Sequence, residues 1–404
     1  MRSFKNPKKS PFRFITIALS FLLLSSFVLA SNWQSLSSFA QGFGANFLAA
    51  PDTELSSGVQ NPKLKNDDRV TIGNCDTAGP IEVEATAGTT GPTAYSNLGA
   101  AITAINAGTH QGAINIEVCG NSTETAAIVL NGSGAAPATY TSISMYPLAD
   151  GLTISGPTVA GRGLIELNGA DNVTIDGDNP NTAGTNRNLT IQNTAVNTVA
   201  FTMVIRVAVA ATVVTSADNN TFKNLNLLGS ATGRNVAANT STTGSQNQSY
   251  VIYAGGGAST ASATTAPTAI SSTTTVVGTG ATATNLTIQN NNAQHAARAI
   301  AAQGSATTVF PGLLIENNLI GNSTAGAADQ VYSMGITVQG STNAIARGNT
   351  VYVESFLATA LRGIDQGSIS STGTGTIFEK NKVNRVRNNN ASTFGSYGIH
   401  LTGG

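Results

Sequence analysis

Seven short runs in this chain share one design. They are "NVTIDG" (172–177), "NLTIQN" (188–193), "NTFKNLNLLG" (220–229), a second "NLTIQN" (285–290), "GLLIENNLIG" (312–321), "NAIARGNTVY" (343–352) and "TIFEKNKVNRV" (376–386). Apolar residues alternate with polar ones, and Asn or Gly closes each run. Alternation with period two is the mark of a strand with one buried face. Leu189 and Ile191 then point inward, and Thr190 and Gln192 outward. Asn tolerates left-handed backbone geometry and hydrogen-bonds locally, so it suits a sharp corner after such a strand.

A second series interleaves with the first. "AIAAQG" (299–304), "GITVQG" (335–340) and "GIDQG" (363–367) end in Gln-Gly, and "VIYAGG" (251–256) and "GIHLTGG" (398–404) are looser versions. Gln303 and Gln339 are 36 residues apart, Gln339 and Gln366 27, and Ile345 and Ile377 32. Spacings of this size mean stacked units, none able to bury its inner face alone. The competing architecture is an immunoglobulin-like sandwich. It would turn about every 8–12 residues on hairpin dipeptides, whereas these corners are Asn- and Gly-based and the runs keep one polarity.

The expected fold is therefore all-β, a right-handed parallel β-helix whose coils rise by about 4.8 Å. Equivalent side chains stack. Leu189, Leu286 and Leu313 are expected in aliphatic columns, and Asn193, Asn290, Asn317, Asn349 and Asn381 in an amide ladder along the corners. On this reading the hexapeptide recurs because the same corner is built in several coils. Composition agrees: 10% charged residues, 6% aromatics and 43 glycines suit β structure better than a helical bundle.

Residues 95–108, "YSNLGAAITAINAG", break the alternation. Leu98, Ile102 and Ile105 form a helical stripe, Ser96 or Asn97 can cap its start and Gly108 its end. The spacing predicts a short helix that lids the first coils, followed by a strand at 112–120. The organisation is then a signal peptide (1–30), a linker (31–69) holding the sole tryptophan, Trp33, an N-terminal cap with the first coils (70–165), and β-helix repeats (166–404). Residues 256–284, low in complexity, form the largest surface excursion.

The basic start, the apolar run "FITIALSFLLLSSFVLA" (14–30) and the small residue Ala30 make a secretory signal, the run being short for a spanning helix. An uncleaved anchor is the alternative. Cleavage leaves 15 basic against 20 acidic residues, a formal charge of −5, with no footprint for nucleic acid. No further membrane span is expected. In an exported chain the two cysteines, Cys75 and Cys119, are expected as a disulfide rather than a metal site, with two unpaired thiols the alternative. The last residues, "YGIHLTGG", match the phase of "GITVQG". A coil ending there exposes its core, so Gly404 is expected to be a boundary inside the repeat, with a cap or sorting segment beyond it.

The repeats "GLLIENNLIG" and "AIARGNTV" and the entry stretch "AYSNLGAAITAINAGTHQGAINIEVCG" resemble the secreted right-handed parallel β-helix proteins of the pectate-lyase-like superfamily, above all the Asn-, Thr- and Gly-rich surface proteins of bacteria. The likeness covers about 70–404. It implies fold more than function, because that superfamily holds lyases, hydrolases, adhesins and inert stalks.

Signals for chemistry are sparse. "DNVTIDGDN" gathers Asp171, Asp176 and Asp178, which could hold Ca²⁺ but match no full calcium loop; an Asp-rich turn is the plainer account. The resemblance implies Gly-His-Gly and Arg-Ile-Lys motifs for a polygalacturonase, and neither tripeptide occurs. His110, His295 and His400 each lack a carboxylate beside them in sequence. Arg206, Arg347 and Arg362 match a lyase base by residue type alone, and Tyr253, Tyr332 and Tyr352 could stack on sugar rings. There is no G-x-S-x-G, H-E-x-x-H, C-x-x-C or G-x-G-x-x-G. The reading is an exported, non-catalytic cell-surface or extracellular structural or adhesion module without a required cofactor. Its expected partners are surface or matrix components, including polysaccharide. The alternative is a polysaccharide lyase or glycoside hydrolase of the same fold.

Overall fold

A computed structural model describes residues 73–402 apart from 197–198, 210–215, 231–248, 257–266, 268, 271–281, 305–309, 357–359, 368–373 and 391–393. The signal peptide, the linker with Trp33, most of the 256–284 excursion and Gly404 lie outside the described residues. Among these residues no helix is long and apolar enough to cross a membrane.

The chain is mostly β, in large parallel sheets most of whose strands fall into three stacks, with Phe310–Pro311 and Ser341–Thr342 paired apart from them. The first stack holds His110–Val118, Tyr140–Pro147, Val173–Asp176, Thr221–Lys223, Thr287–Gln289, Leu314–Glu316, Ile345–Arg347 and Ile377–Glu379. The second holds Ser122–Thr123, Leu152–Gly156, Leu189–Asn193, Leu225–Leu228, Asn292–Gln294, Leu319–Ile320, Thr350–Ser355 and Lys382–Asn388. The third holds Ile128–Asn131, Gly163–Asn168, Met203–Val209, Tyr250–Gly256, Ala296–Gln303, Val331–Gln339, Leu361–Gln366 and Ser396–Leu401. Within each stack every strand pairs in parallel with the next. The chain visits the stacks in the order first, second, third, and then begins again.

This winding explains the alternation. Each strand turns every second side chain into a common core, where Ile175, Phe222, Ile288, Ile315 and Ala346 follow one another in register. In the third stack Ile165, Ile205, Ile252, Ile300, Ile336 and Ile364 do the same. Burying each such side chain contributes about 1.5–3 kcal/mol. The Gln-Gly series is the third stack, although its register slips: Gln303 pairs with Gln339, but Gln366 pairs with Val338 because "GIDQG" is one residue shorter.

The twin hexapeptides do not build the same corner. Residues 189–193 lie in the second stack, and 287–289 in the first. Leu189 aligns with Leu152 and Leu225, so it shares no column with Leu286 and Leu313. The motif recurs because a half-buried strand after a tight turn has the same needs in either stack.

The corner between the first and second stacks carries the amide ladder, through Asn291, Asn318, Asn349 and Asn381. Asn318 Oδ1 accepts from the backbone N–H and Nδ2 of Asn291 at 2.9 and 3.1 Å. Asn349 does the same for Asn318, and Asn381 for Asn349. Each Nδ2 also donates to a carbonyl of the preceding coil: Phe222, Ile288, Ile315 and Ala346 in turn. Asn290 and Asn317 stand one residue outside this ladder. They supply the left-handed turn, with φ of 53° and 55°, a task shared by Asn224, Gly348 and Lys380. Asn193 is elsewhere, at the end of a second-stack strand, where Nδ2 donates to Thr158 Oγ1 and the Met203 carbonyl. At Gly348 an added Cβ would lie 2.2 Å from Asn317 Oδ1, so a larger residue there would have to displace the Asn317 side chain while also adopting a left-handed φ of 66°.

The entry differs. Ile81–Gly88 pairs antiparallel with His110–Val118 and with Thr93–Tyr95. The one helix among the described residues, Leu98–Asn106, buries Leu98, Ala101, Ile102 and Ile105. Its first amides are satisfied twice over. Asn97 Oδ1 accepts from Ala100 N at 2.8 Å, and the Glu124 carboxylate accepts from Leu98 N and Gly99 N at 2.9 and 3.0 Å. The negative charge also complements the helix dipole. Cys75 and Cys119 are joined as a disulfide with Cα atoms 5.8 Å apart.

Candidate functional site

Two outward-facing columns hold five of the residues that the sequence singled out, Asp176, Arg347, Arg206, Tyr253 and His400. On the first stack, Asp176, Lys223, Gln289, Glu316, Arg347 and Glu379 form one column. Its charges pair along the stack. Lys223 Nζ is 2.9 Å from Asp176 Oδ2, Arg347 Nε is 2.6 Å from Glu316 Oε1, and Gln289 Nε2 donates to Glu316 Oε2 at 3.3 Å.

The three aspartates proposed for Ca²⁺ are not brought together as ligands. Asp176 Oδ1 accepts from Asn224 Nδ2 and from Asp178 N. Asp178 Oδ1 accepts from Asn186 N, and Asp171 Oδ1 from Asp218 N. Each carboxylate is used to fix a turn.

The third stack holds the second column. Its outer column runs Glu166, Arg206, Tyr253, Ala301, Thr337, Asp365, His400. Glu166 is fully buried and takes the Arg162 guanidinium, Gly163 N at 2.8 Å and Arg206 Nη1 at 3.4 Å. Burial pushes the Arg206 guanidinium below its ordinary value, and Glu166 opposes that shift. Arg206 is thus a structural cation rather than an accessible base. Tyr250 and Tyr253 pack edge-on at 5.1 Å under Phe201, Met203 and Ile270. Burial raises both phenols above their usual range.

Neither Tyr253 nor Tyr332 is exposed, so neither offers a sugar platform. Tyr352 is half-buried beneath Arg385, whose guanidinium carbon lies 5.2 Å from the ring centroid. The tyrosines went into packing because their columns lie where neighbouring segments cover the strands.

Of the three histidines, His110 is structural. It is fully buried, with Nε2 2.6 Å from the Tyr95 hydroxyl and Nδ1 2.6 Å from the Thr89 carbonyl. Burial lowers the His295 pKa, Asp329 acting the other way, and its backbone is left-handed with φ of 61°.

His400 differs. Its Nδ1 lies 2.7 Å from Asp365 Oδ1, and Arg362 Nη1 lies 3.3 Å from Asp365 Oδ2. The Tyr397 ring, 43% exposed, sits 4.9 Å from the imidazole. A carboxylate on Nδ1 fixes the ring and leaves Nε2 as its second nitrogen for proton exchange. Sequence reasoning missed this pair by looking only for neighbours along the chain. The available signal was phase: "GIDQG" and "GIHLTGG" are successive third-stack strands, so Asp365 and His400 hold equivalent positions.

A surface hollow of about 370 Å³ is lined by residues including Thr125, Val129, Pro157, Val159 and Arg162, with no carboxylate or imidazole among them. Its one charge, Arg162, is already held by Glu166.

No family model matches the chain, and no curated protein matches it. Among solved structures, the crystal structure of Escherichia coli YbhC aligns at 12% identity with a TM-score of 0.36, covering 90% of this chain and 92% of that one. A likeness of that size carries no argument about fold or activity.

Proposed function

We propose that the chain is a right-handed parallel β-helix that serves, once exported, as a non-catalytic structural or adhesion module at the cell surface or outside the cell. The observation that carries this reading is self-neutralisation of the charges carried on all three stacks. Asp176 with Lys223, Glu316 with Arg347, Glu166 with Arg162 and Arg206, and Glu354 with Arg385 and Arg387 pair within or between coils. Charges used in this way stiffen and register a stack, and they leave little for a substrate. The partners that fit are surface or matrix components, polysaccharide among them, met by the loops between stacks. Binding of the purified protein to cell walls or immobilised glycans, with no new reducing ends or unsaturated uronides on prolonged incubation, is the expected result. Turnover of a polysaccharide by homogeneous protein would overturn it.

The Asp365–His400 pair favours a second reading, a polysaccharide lyase or glycoside hydrolase. The adjoining column positions are Thr337, Met334, Arg362 and Tyr397, so no second carboxylate stands in them. Hydrolysis commonly uses two carboxylates, so proton abstraction by His400, with Arg362 close by, fits this constellation better. If activity is found, Asp365→Asn should abolish most of it without altering the circular dichroism spectrum.

A further inference from the structure

At the entry end of the first stack, beyond the charge pairs already described, four carboxylates gather. On Ile81–Gly88, Glu82 and Glu84 alternate with buried Ile81, Val83 and Ala85. Glu117 is the direct cross-strand partner of Glu82. Asp76 arrives on the segment that the Cys75–Cys119 disulfide ties to the end of Glu117's strand. That segment wraps Glu82, whose Oε2 accepts from Asp76 N, Thr77 N and Thr77 Oγ1 at 3.0, 2.7 and 2.6 Å. One carboxylate oxygen from each of Asp76, Glu82 and Glu84 lies within 4.8 Å of the other two.

The arrangement is unfavourable as it stands. Like charges directly opposite on paired strands destabilise a sheet, and a buried carboxylate needs a partner or a proton. Glu82 and Glu117 are 0% and 1% exposed, and Glu82 Oε1 and Glu117 Oε2 each meet no hydrogen-bond donor. No Lys or Arg among the described residues pairs with any of the four. Burial pushes the Glu117 carboxyl up to about 7, with Glu84 and Glu82 adding to the shift against the Tyr146 hydroxyl and the Gly73 backbone. Glu84 is raised by burial, then by Glu82 and Asp76.

We propose that Asp76, Glu82 and Glu84, with Glu117 behind them, bind a calcium-type divalent cation that clamps the disulfide-tethered entry segment onto the first sheet. Oxygens sharing an ion at about 2.4 Å lie at most about 4.8 Å apart, and the three here fall within that limit. An all-oxygen, anionic set without His or Cys selects a hard cation over zinc. Magnesium prefers one or two carboxylates and keeps its waters, so three or four carboxylates favour calcium.

The test uses the whole protein and terbium as the probe. The Tyr146 hydroxyl donates to Glu117 Oε1 at 2.9 Å, which places an aromatic antenna beside the site. Tyrosine-excited terbium luminescence is expected, displaced by calcium, together with a higher unfolding temperature in calcium than in EDTA. Glu84→Gln should weaken binding of both ions about tenfold or more and erase the calcium shift. Its midpoint in EDTA should equal or exceed that of the wild type, because repulsion is relieved. Asp76→Asn gives the same reading should Glu84→Gln fail to fold, and Glu379→Gln, on the exposed strand at the opposite end of the first stack, should keep the full response. Absence of both signals in the wild type at a pH well above 7, or their survival in Glu84→Gln and Asp76→Asn, would overturn the proposal.

Discussion

Replacing Asn318 and replacing Asn317 should have very different costs, although the two are adjacent and identical in kind. Asn318 is 1% exposed and sits in the ladder. Its loss in Asn318→Ala strips the Asn291 backbone N–H of its acceptor and the Ile288 carbonyl of the Asn318 Nδ2 donor. It also removes the amide–amide bonds to Asn291 and Asn349. Each buried polar group left unsatisfied costs about 1–3 kcal/mol. Two such groups put the substitution at about 2–6 kcal/mol. Asn317 instead supplies a left-handed turn with φ of 55°. Asn317→Ala then pays the left-handed penalty of about 1–2 kcal/mol, and Asn317→Gly should be neutral or slightly stabilising. Urea titrations followed by circular dichroism would rank the three through their midpoints, with the slope checked for constancy. A cost for Asn317→Ala equal to or above that of Asn318→Ala would refute the ladder assignment.

Other outcomes follow from the same geometry. Cys75→Ser should destabilise the entry by about 4 kcal/mol on chain-entropy grounds, given a separation of 44 residues; a reducing agent should mimic it, and unchanged melting would count against the tether. Glu166→Gln leaves the buried Arg206 short of its counter-charge and should cost about 3–5 kcal/mol, read as a shift in the thermal midpoint. The folded-state pKa of His295 lies below 6.5, so the unfolded chain binds the extra proton first. Stability from this group is therefore full above about 6.5 and is lost as pH falls from there toward the folded value. His295→Asn, which keeps a residue tolerant of φ > 0, should flatten that acid-side decline in urea midpoints between pH 5 and 8; an unchanged slope would contradict it.

Much of this architecture was legible because the periodicity is strict. The alternation placed the inward residues Leu189 and Ile191, and the helix at Leu98–Asn106 was readable from its stripe and cap. What was not legible is phase across stacks. Identical hexapeptides serve the second stack at 188–193 and the first at 285–290, since local strand chemistry does not encode which stack a strand joins. Asn290 and Asn317 lie one residue off the ladder because Asn290-Asn291-Asn292 offers three candidates for it and Asn317-Asn318 two. At Gly348-Asn349 and Lys380-Asn381 only one asparagine exists, and there the position was unambiguous. The Asp365–His400 contact, and the approach of Glu117 to the locally clustered Asp76, Glu82 and Glu84, depend on pairing between segments far apart in sequence. Only a register could reveal them.

The spacing of successive coils carries a consequence of its own. Turn residues Asn224 and Asn290 are 66 positions apart, whereas Asn291 and Asn318 are 27 apart, yet both steps close with the same kind of side-chain amide contact. Loop-closure entropy grows only with the logarithm of length, so the longer step is disfavoured by about 0.8 kcal/mol relative to the shorter. Segments inserted between strands can therefore lengthen and diversify at almost no thermodynamic penalty. Variation in what the molecule touches is largely uncoupled from the integrity of the frame that carries it.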